Sequence, residues 1–236
     1  MWQGKTISVV FPAYNEEPNI AAAVKDFSVA GVVDEVLVVN NNSKDRTGEY
    51  ADAAGARVVL ETRQGYGSAL QRGLREAKGD LVILAEPDGT FVGRDVIKLL
   101  AYAEDFDMVC GTRTARELIW DQANMGWFLR WGNVVVAKLL EFLFNGPCLT
   151  DCGCTLRLVR REALERFRDR LTVDQSHFLP EMVMLALLGG LRVIEVPVNY
   201  RRRIGESKIT GNFRGALGTG VNMIRLILRY RFVGPK

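Results

Sequence analysis

Two carboxylates one residue apart, Glu86 and Asp88, follow directly on the apolar run Leu81-Val82-Ile83-Leu84-Ala85 and end in an Asp-Gly turn at Gly89. An apolar run of this kind, bounded by turn residues, reads as a fully buried strand. Side chains on extended backbone alternate with period two, so Glu86 and Asp88 point the same way and can share one hard divalent cation. The competing reading is a polar turn after a strand, because Asp and Gly favour turns for reasons unrelated to metals. The neighbouring loops decide between the two.

The chain supplies such loops in a regular series. Thr6 to Phe11 is β-rich and closes on Pro12-Ala13-Tyr14-Asn15-Glu16-Glu17, after which Ile20 to Ala30 has helical character. Val33 to Val39 is the next apolar run, followed by Asn40 to Asp45 and a helix stopped by Gly55. Arg57 to Leu60, the loop Arg63 to Gly67 and a helix from Ser68 to Ala77 repeat the unit, and Leu81 to Ala85 is the fourth strand. Strands alternating with helices of this length give βαβ units on a parallel sheet. Each polar loop follows a strand, so the loops gather at one sheet edge, where open α/β sheets bind ligands. Asn40 to Asp45 offers amide and carboxylate groups able to read a base edge. Arg63 with the small Gly65 and Gly67 allows close approach of phosphates. Neither a three-glycine dinucleotide fingerprint nor a GxxxxGK[ST] phosphate loop is present, which argues against a nicotinamide enzyme.

Phe106 to Cys110 is a fifth strand, and then the character changes. Met125 to Phe144 reads as a helix with Arg130, Asn133, Lys138 and Glu141 near one side and Trp127, Trp131, Phe142 and other apolar residues over much of the rest. It is either a core helix with one wet face or a helix lying in a membrane interface. Asp151 to Leu158 returns to the sheet, Arg161 to Phe167 is a short helix, Phe178 to Leu188 is a helix carrying Glu181, and Leu191 to Tyr200 is a strand. Ile204 to Phe213 is polar and Gly-interrupted and reads as a mobile loop. Beyond it, Arg214, Gly218, Asn222, Arg225 and Arg229 recur at three- or four-residue spacing and form one stripe of a basic amphipathic helix. Such a helix can dock on its own domain, cover a partner or lie on anionic lipid; its charge favours lipid.

Composition bounds these readings. A chain of 236 residues with 48% hydrophobic and 25% charged residues has an ordinary globular core. The net charge of +3 is unevenly spread: from Arg201 onward there are nine Lys or Arg against Glu206 alone, so a basic C-terminal segment follows a mildly acidic body. Nucleic-acid binding would account for that charge but not for the apolar faces beside it. The four cysteines fit neither a zinc spacing nor a secreted disulfide framework and read as reduced thiols. There is no uncharged apolar run long enough to span a bilayer, and Met1 to Lys5 has no signal-peptide architecture, so the expectation is a cytoplasmic protein peripherally associated with the membrane.

In order along the chain, Phe11-Pro12-Ala13-Tyr14-Asn15-Glu16-Glu17, Asn41-Asn42-Ser43-Lys44-Asp45, Gly65-Tyr66-Gly67-Ser68-Ala69, Ala77-Lys78-Gly79-Asp80 and Glu86-Pro87-Asp88-Gly89 resemble the motifs of family 2 glycosyltransferases with the GT-A fold. Gly111-Thr112-Arg113, Asp151 to Arg157, Glu195-Val196-Pro197-Val198 and Arg202 to Lys208 resemble the polyprenyl-phosphate sugar synthases among them, such as dolichyl-phosphate mannose synthase. The resemblance implies an α/β GT-A fold, a Rossmann-like mostly parallel sheet flanked by helices, with a catalytic domain over residues 1–213 and a basic amphipathic helix over 214–236. It implies inverting transfer of a sugar from a UDP- or GDP-linked donor to a polyprenyl phosphate at a membrane surface, with Mg²⁺ or Mn²⁺ as cofactor. Pro12, Tyr14 and Glu16 would border the base and ribose, with Asn41 and Asp45 near them. Arg63 and Gly65 would lie by the phosphates, Glu86 and Asp88 would hold the metal, and Arg202, Ser207 and Lys208 would close over the diphosphate. Arg113 and Arg130 would meet the acceptor phosphate, and a separate membrane subunit could supply an anchor.

Two departures stand out. Asn40-Asn41 replaces the Asp-Asp of many relatives, and the metal motif begins with Glu86 in place of Asp. A phosphate acceptor, with a second pKa of about 6, is already ionised and needs no general base. A hydroxyl acceptor on a glycan or lipid would need one, and Asp151, Glu181 and the lone His177 are the candidates. Structural pairing with an arginine, Arg157 for example, is the rival role for Asp151, and Glu181 has a similar rival role with an arginine. A catalytically idle GT-A module in a membrane assembly is the third alternative.

Overall fold

The computed structural model describes the chain except Gln122, Asn124, Met125, residues 206–212 and Lys236, and the side chains of Phe128, Phe213, Arg214 and Ala216. Its strands are β1 (Ile7–Ala13), β2 (Glu35–Asn40), β3 (Arg57–Leu60), β4 (Leu81–Leu84), β5 (Met108–Thr112), β6 (Arg157–Arg160) and β7 (Val193–Pro197). They form one sheet in the order β3-β2-β1-β4-β6-β5-β7. All pairings are parallel except those of β6, which runs antiparallel to both β4 and β5. The helices are α1 (Ile20–Ser28), α2 (Thr47–Ala53), α3 (Tyr66–Glu76), α4 (Val96–Leu100), α5 (Trp127–Phe144), α6 (Arg161–Glu165), α7 (Phe178–Leu188) and α8 (Phe213–Phe232). Helix α4 is too short for periodicity to register and has no counterpart in the sequence reading.

The alternation of strand side chains divides the core in two. Val10, Leu37, Val39, Val82 and Leu84 face α3, α5, α7 and α8, whereas Val9, Phe11, Val38, Leu81 and Ile83 face α1, α2 and α4. All four residues of β4 are buried, as a central strand covered on both faces requires. The strand expected from Asp151 begins only at Arg157. The guanidinium of Arg157, wholly buried, donates to the carbonyls of Cys152, Cys154 and Leu179 and thereby holds the preceding residues in an irregular turn. All four cysteines are free thiols.

Helix α8 starts at Phe213 and is part of the core. Met223, Leu226, Ile227 and Tyr230, at helical i, i+3, i+4, i+7 spacing, are buried in the cluster that contains α5 and α7. Its opposite face leaves Leu217, Val221 and Leu228 exposed beside Arg225 and Arg231. Helix α5 is divided in the same way. Val136, Ala137 and Leu140 are buried, while Trp127, Trp131, Val135 and Phe142 are 61–83% exposed on the outer side. No helix among the described residues is long and apolar enough to cross a membrane. The segment expected to be a mobile loop falls mainly on residues 206–212, outside the described residues.

The Tyr230 hydroxyl donates to Glu181 Oε1 at 2.6 Å, fastening α8 to α7. A hydrogen bond to a charged acceptor contributes about 1.5–3 kcal/mol. Tyr230→Phe is therefore expected to lower the urea midpoint by an equivalent amount with an unchanged m-value in an equilibrium denaturation.

Candidate active site

A cleft of about 320 Å³ opens at the carboxyl end of β1 and β4, lined by Pro12, Tyr14, Glu16, Asn41, Gly65, Glu86, Asp88 and Arg203 among others. Its location is the ligand-binding edge of an open α/β sheet. Asp88 is 1% exposed. Its Oδ1 accepts from the Thr90 amide at 3.0 Å and from the Thr90 hydroxyl at 2.5 Å, which fixes the turn. Its Oδ2 lies 2.8 Å from Nη1 of Arg203 but receives no well-aligned hydrogen bond. Glu86 Oε1 accepts from the Tyr66 hydroxyl at 3.1 Å and the Thr155 hydroxyl at 2.8 Å. Burial, and then the charge of Asp88, pushes the Glu86 carboxyl up to about 7.

The two carboxylates line one cleft, although the strand ends at Leu84 and Pro87 and Asp88 lie in a bend, so the turn and not strand alternation brings them together. No cluster of three or more His, Cys, Asp or Glu suited to a metal occurs among the described residues. A hard cation here would have two protein carboxylates and would complete its shell with water and ligand oxygens, the usual arrangement for Mg²⁺ on a phosphate substrate. The buried Oδ2 of Asp88, which has the charge of Arg203 beside it but no hydrogen-bond donor, fits that role, because a buried oxygen without a donor is otherwise costly.

The loops after β2 and β3 are arranged differently from the sequence reading. Asn41 Nδ2 donates to the carbonyls of Glu61 and Arg63, and its Oδ1 accepts from the Gly65 amide and Gln64 Nε2. These backbone partners fix the amide orientation and leave it bracing the loop instead of reading a base. Asp45 accepts from the Thr47 amide and hydroxyl and from the Glu17 amide. Burial opposes its charge, but the bonds from Thr47 outweigh it and hold the carboxyl below its ordinary value. Asp45 organises the start of α2 and the loop after β1. Arg63 is paired with Asp174. The lack of a side chain at Gly65 and Gly67 makes room for protein backbone: a Cβ on Gly67 would lie 2.2 Å from the Val173 carbonyl, and one on Gly65 2.4 Å from that of Asp174. The Asp174 carbonyl accepts from the Gly67 and Ser68 amides and so occupies the N-terminus of α3.

The two candidate carboxylate bases are committed elsewhere. Asp151 is buried and takes a two-pronged bond from Arg113, at 2.7 and 2.9 Å, together with the Arg113 and Gly153 amides. Its arginine partner is Arg113, not Arg157, and the pairing also ties up the guanidinium expected to meet an acceptor phosphate. Glu181 is fully buried and accepts from the Thr172 amide and hydroxyl, the Val173 amide and Tyr230. It anchors the loop before α7 and is a structural group, not a base at the cleft. His177 stands at the N-cap position of α7 without a side-chain capping bond, and burial holds its imidazole below the ordinary value. Arg130 sits half-buried in the first turn of α5, outside the cleft lining. Arg202 is exposed, while its neighbour Arg203 reaches Asp88 and, at 3.3 Å, Glu16 Oε1. Ser207 and Lys208 lie outside the described residues.

Sequence reasoning passed over Tyr66, Thr155 and Arg203. Tyr66 and Thr155 both fall inside quoted motifs, but nothing local assigns them to Glu86. Alternation along an extended Arg201-Arg202-Arg203 would have separated Arg202 from its neighbours, one of which stacks on Trp120 while the other meets Asp88.

With its carboxyl raised in the metal-free fold, Glu86 binds a proton there at a pH where the unfolded chain has released it. Stability from this group is fully present below about pH 4.5 and is lost as pH rises through about 7. In EDTA, Glu86→Gln is expected to flatten the stability profile across that window, and denaturant titrations from pH 4.5 to 8 measure it.

The sequence model of the family described as Glycosyl transferase family 2 matches residues 8–168. An uncharacterized glycosyltransferase of Mycobacterium tuberculosis is 36% identical over 218 residues, covering 91% of this chain and 94% of that protein. A dolichyl-phosphate hexose transferase of Haloferax volcanii is 29% identical over 226 residues, 95% of each chain. Among solved structures, glucosyl-3-phosphoglycerate synthase from M. tuberculosis, in complex with Mn²⁺, UDP and glucosyl-3-phosphoglycerate, has a TM-score of 0.70 at 23% identity, covering 99% of this chain and 82% of that one. That likeness bears on the fold, a GT-A sheet flanked by helices. A family model over most of the chain and a relative 36% identical along nearly its full length carry the rest: the chain belongs to glycosyl transferase family 2 and is a glycosyltransferase.

Proposed function

We propose that this glycosyltransferase moves one hexose, with inversion, from a nucleoside-diphosphate sugar to a polyprenyl phosphate at a membrane surface, using Mg²⁺ or Mn²⁺. The observation that carries the donor half is the enclosure of Glu86 and Asp88 in one cleft with Arg203, one oxygen of Asp88 being left without a donor. The solved glucosyl-3-phosphoglycerate synthase holding Mn²⁺ and UDP supports this reading. Glu86 and Asp88 would hold the cation. Bound there, it would supply Lewis-acid neutralisation of the departing diphosphate. Pro12, Tyr14 and Glu16 shape the wall for the nucleoside, while Arg203 aims a guanidinium at the leaving group, where a planar fork suits phosphate oxygens.

Two features support a lipid phosphate as acceptor. The carboxylates put forward as bases, Asp151 and Glu181, are fully engaged, and an ionised phosphate needs no base. The outer faces of α5 and α8 carry exposed Trp127, Trp131, Val135, Phe142, Leu217 and Val221 beside Arg225 and Arg231, the composition of a surface that beds into an anionic interface. The dolichyl-phosphate hexose transferase relative points the same way. A second reading, transfer to a hydroxyl of a small phosphorylated acid, is the one suggested by the glucosyl-3-phosphoglycerate synthase structures.

Purified protein offered UDP-hexoses and GDP-mannose with Mg²⁺ or Mn²⁺ is expected to glycosylate polyprenyl phosphate; turnover only with phosphoglycerate or other hydroxyl acceptors selects the second reading. Asp88→Asn is expected to reduce divalent-dependent transfer by at least about 100-fold with the fold intact by circular dichroism. Replacing Trp127 and Trp131 together by Ala is expected to weaken co-sedimentation with anionic vesicles by about tenfold or more, given the apolar area each ring contributes. Unchanged vesicle binding would remove the interfacial role of α5.

A further inference from the structure

Arg203 is held in the cleft differently from the arginine of the Arg113–Asp151 pair. Arg113 grips Asp151 with two aligned hydrogen bonds, the form expected of a permanent carboxylate partner. Arg203 instead divides itself between two acids, Nη1 standing 2.8 Å from Asp88 Oδ2 and Nη2 3.3 Å from Glu16 Oε1. The contact with Asp88 is one of charge without alignment: Oδ2 of Asp88 and Nε of Arg203 are both buried without a hydrogen-bond partner. By contrast, the backbone that carries Arg203 is fixed. The Arg201 amide donates to the Thr90 carbonyl at 2.8 Å, the Ile204 amide to the Asp88 carbonyl at 2.9 Å, and Asn19 Nδ2 to the Ile204 carbonyl at 3.1 Å. The side chain can therefore change partner while its main chain stays docked on the turn that bears Asp88.

We infer that Arg203 is a positioning residue that stands in for the divalent cation when the cleft holds no nucleotide, neutralising Asp88, and that it transfers to the donor diphosphate when donor and cation bind together. The inference rests on the reading of Glu86 and Asp88 as the metal-binding pair. Its physical logic is one of charge balance. Asp88 is too enclosed to remain unpaired, so a cation arriving alone must displace a guanidinium whose other carboxylate partner among the described residues is Glu16. A diphosphate arriving with the cation gives the guanidinium a new anion of the geometry it binds best. Cation and nucleotide are then positively coupled through Arg203, and by linkage each raises the affinity of the other by the same factor.

The test is Mn²⁺ binding to the full chain, followed by loss of the free-ion electron paramagnetic resonance signal, with and without UDP or GDP. Wild-type protein is expected to bind Mn²⁺ at least about tenfold more tightly with its nucleotide than without. Arg203→Gln and Arg203→Ala, neither of which touches the backbone hydrogen bonds of the segment, are expected to bind Mn²⁺ alone about tenfold more tightly than wild type, with the nucleotide coupling reduced toward one. Unchanged or weaker Mn²⁺ affinity in both folded variants without nucleotide overturns the inference. If wild type binds no Mn²⁺ with either nucleotide, the metal reading itself fails, and the two failures are separately visible. Asp88→Asn in either background is expected to abolish the nucleotide-dependent binding.

Discussion

Negative charge crowded against the end of a buried strand is the constraint around which this protein is arranged. Glu86 and Asp88 follow β4, whose residues are all buried, into a cleft that buries Asp88 and partly encloses Glu86. Two enclosed carboxylates so close resist simultaneous ionisation, which is why burial and the neighbouring charge lift Glu86 toward neutrality. The surroundings answer with Thr90 on one oxygen of Asp88, Tyr66 and Thr155 on Glu86, and the guanidinium of Arg203 across the gap. Each of these groups comes from a different stretch of chain. The fold brings together α3, the turn before β6 and the segment after β7 at that one point.

The rest of the buried charge obeys the opposite rule. Asp151 and Glu181 are at least as enclosed as Asp88, yet their oxygens are met by aligned donors. A buried carboxylate with a complete set of donors is a structural fastening, since a well-satisfied polar group rigidifies its surroundings. One with an oxygen turned toward a cleft and facing only a misaligned cation is available for exchange. Hydrogen-bond completeness separates the two kinds better than burial or residue type.

Much of this was legible before any coordinates. The apolar run of β4 and the gathering of strand-end loops on one edge follow from period and polarity alone. What was hidden depends on partners distant in the chain. Gly65 and Gly67 suggest room for phosphates, and only folding reveals that the Val173–Asp174 backbone fills that room. Asn41 offers an amide to a base until the carbonyls of Glu61 and Arg63 claim it. Arg202 and Arg203 are indistinguishable by type; the choice between them is set by the pairing of Arg201 and Ile204 with the turn at Asp88 and Thr90, and a shift of one residue on extended backbone reverses which side chain faces the cleft.

The fastening of Tyr230 to Glu181 has a consequence for how the sequence can drift. Glu181 orders Thr172 and Val173, the next residue, Asp174, closes the N-terminus of α3, and Gln175 and Ser176 form part of the cleft wall. The inward side of α8 and the cleft are thus the two surfaces of a single partition. Positions such as Met223, Ile227 and Tyr230 are answerable to catalysis although they lie in what looks like a tail. Leu217, Val221 and Arg225, on the far side of the same helix, are exposed and take no part in that partition. One helix therefore carries two independent selective records, interleaved every three or four residues, and substitutions in it are best compared face by face.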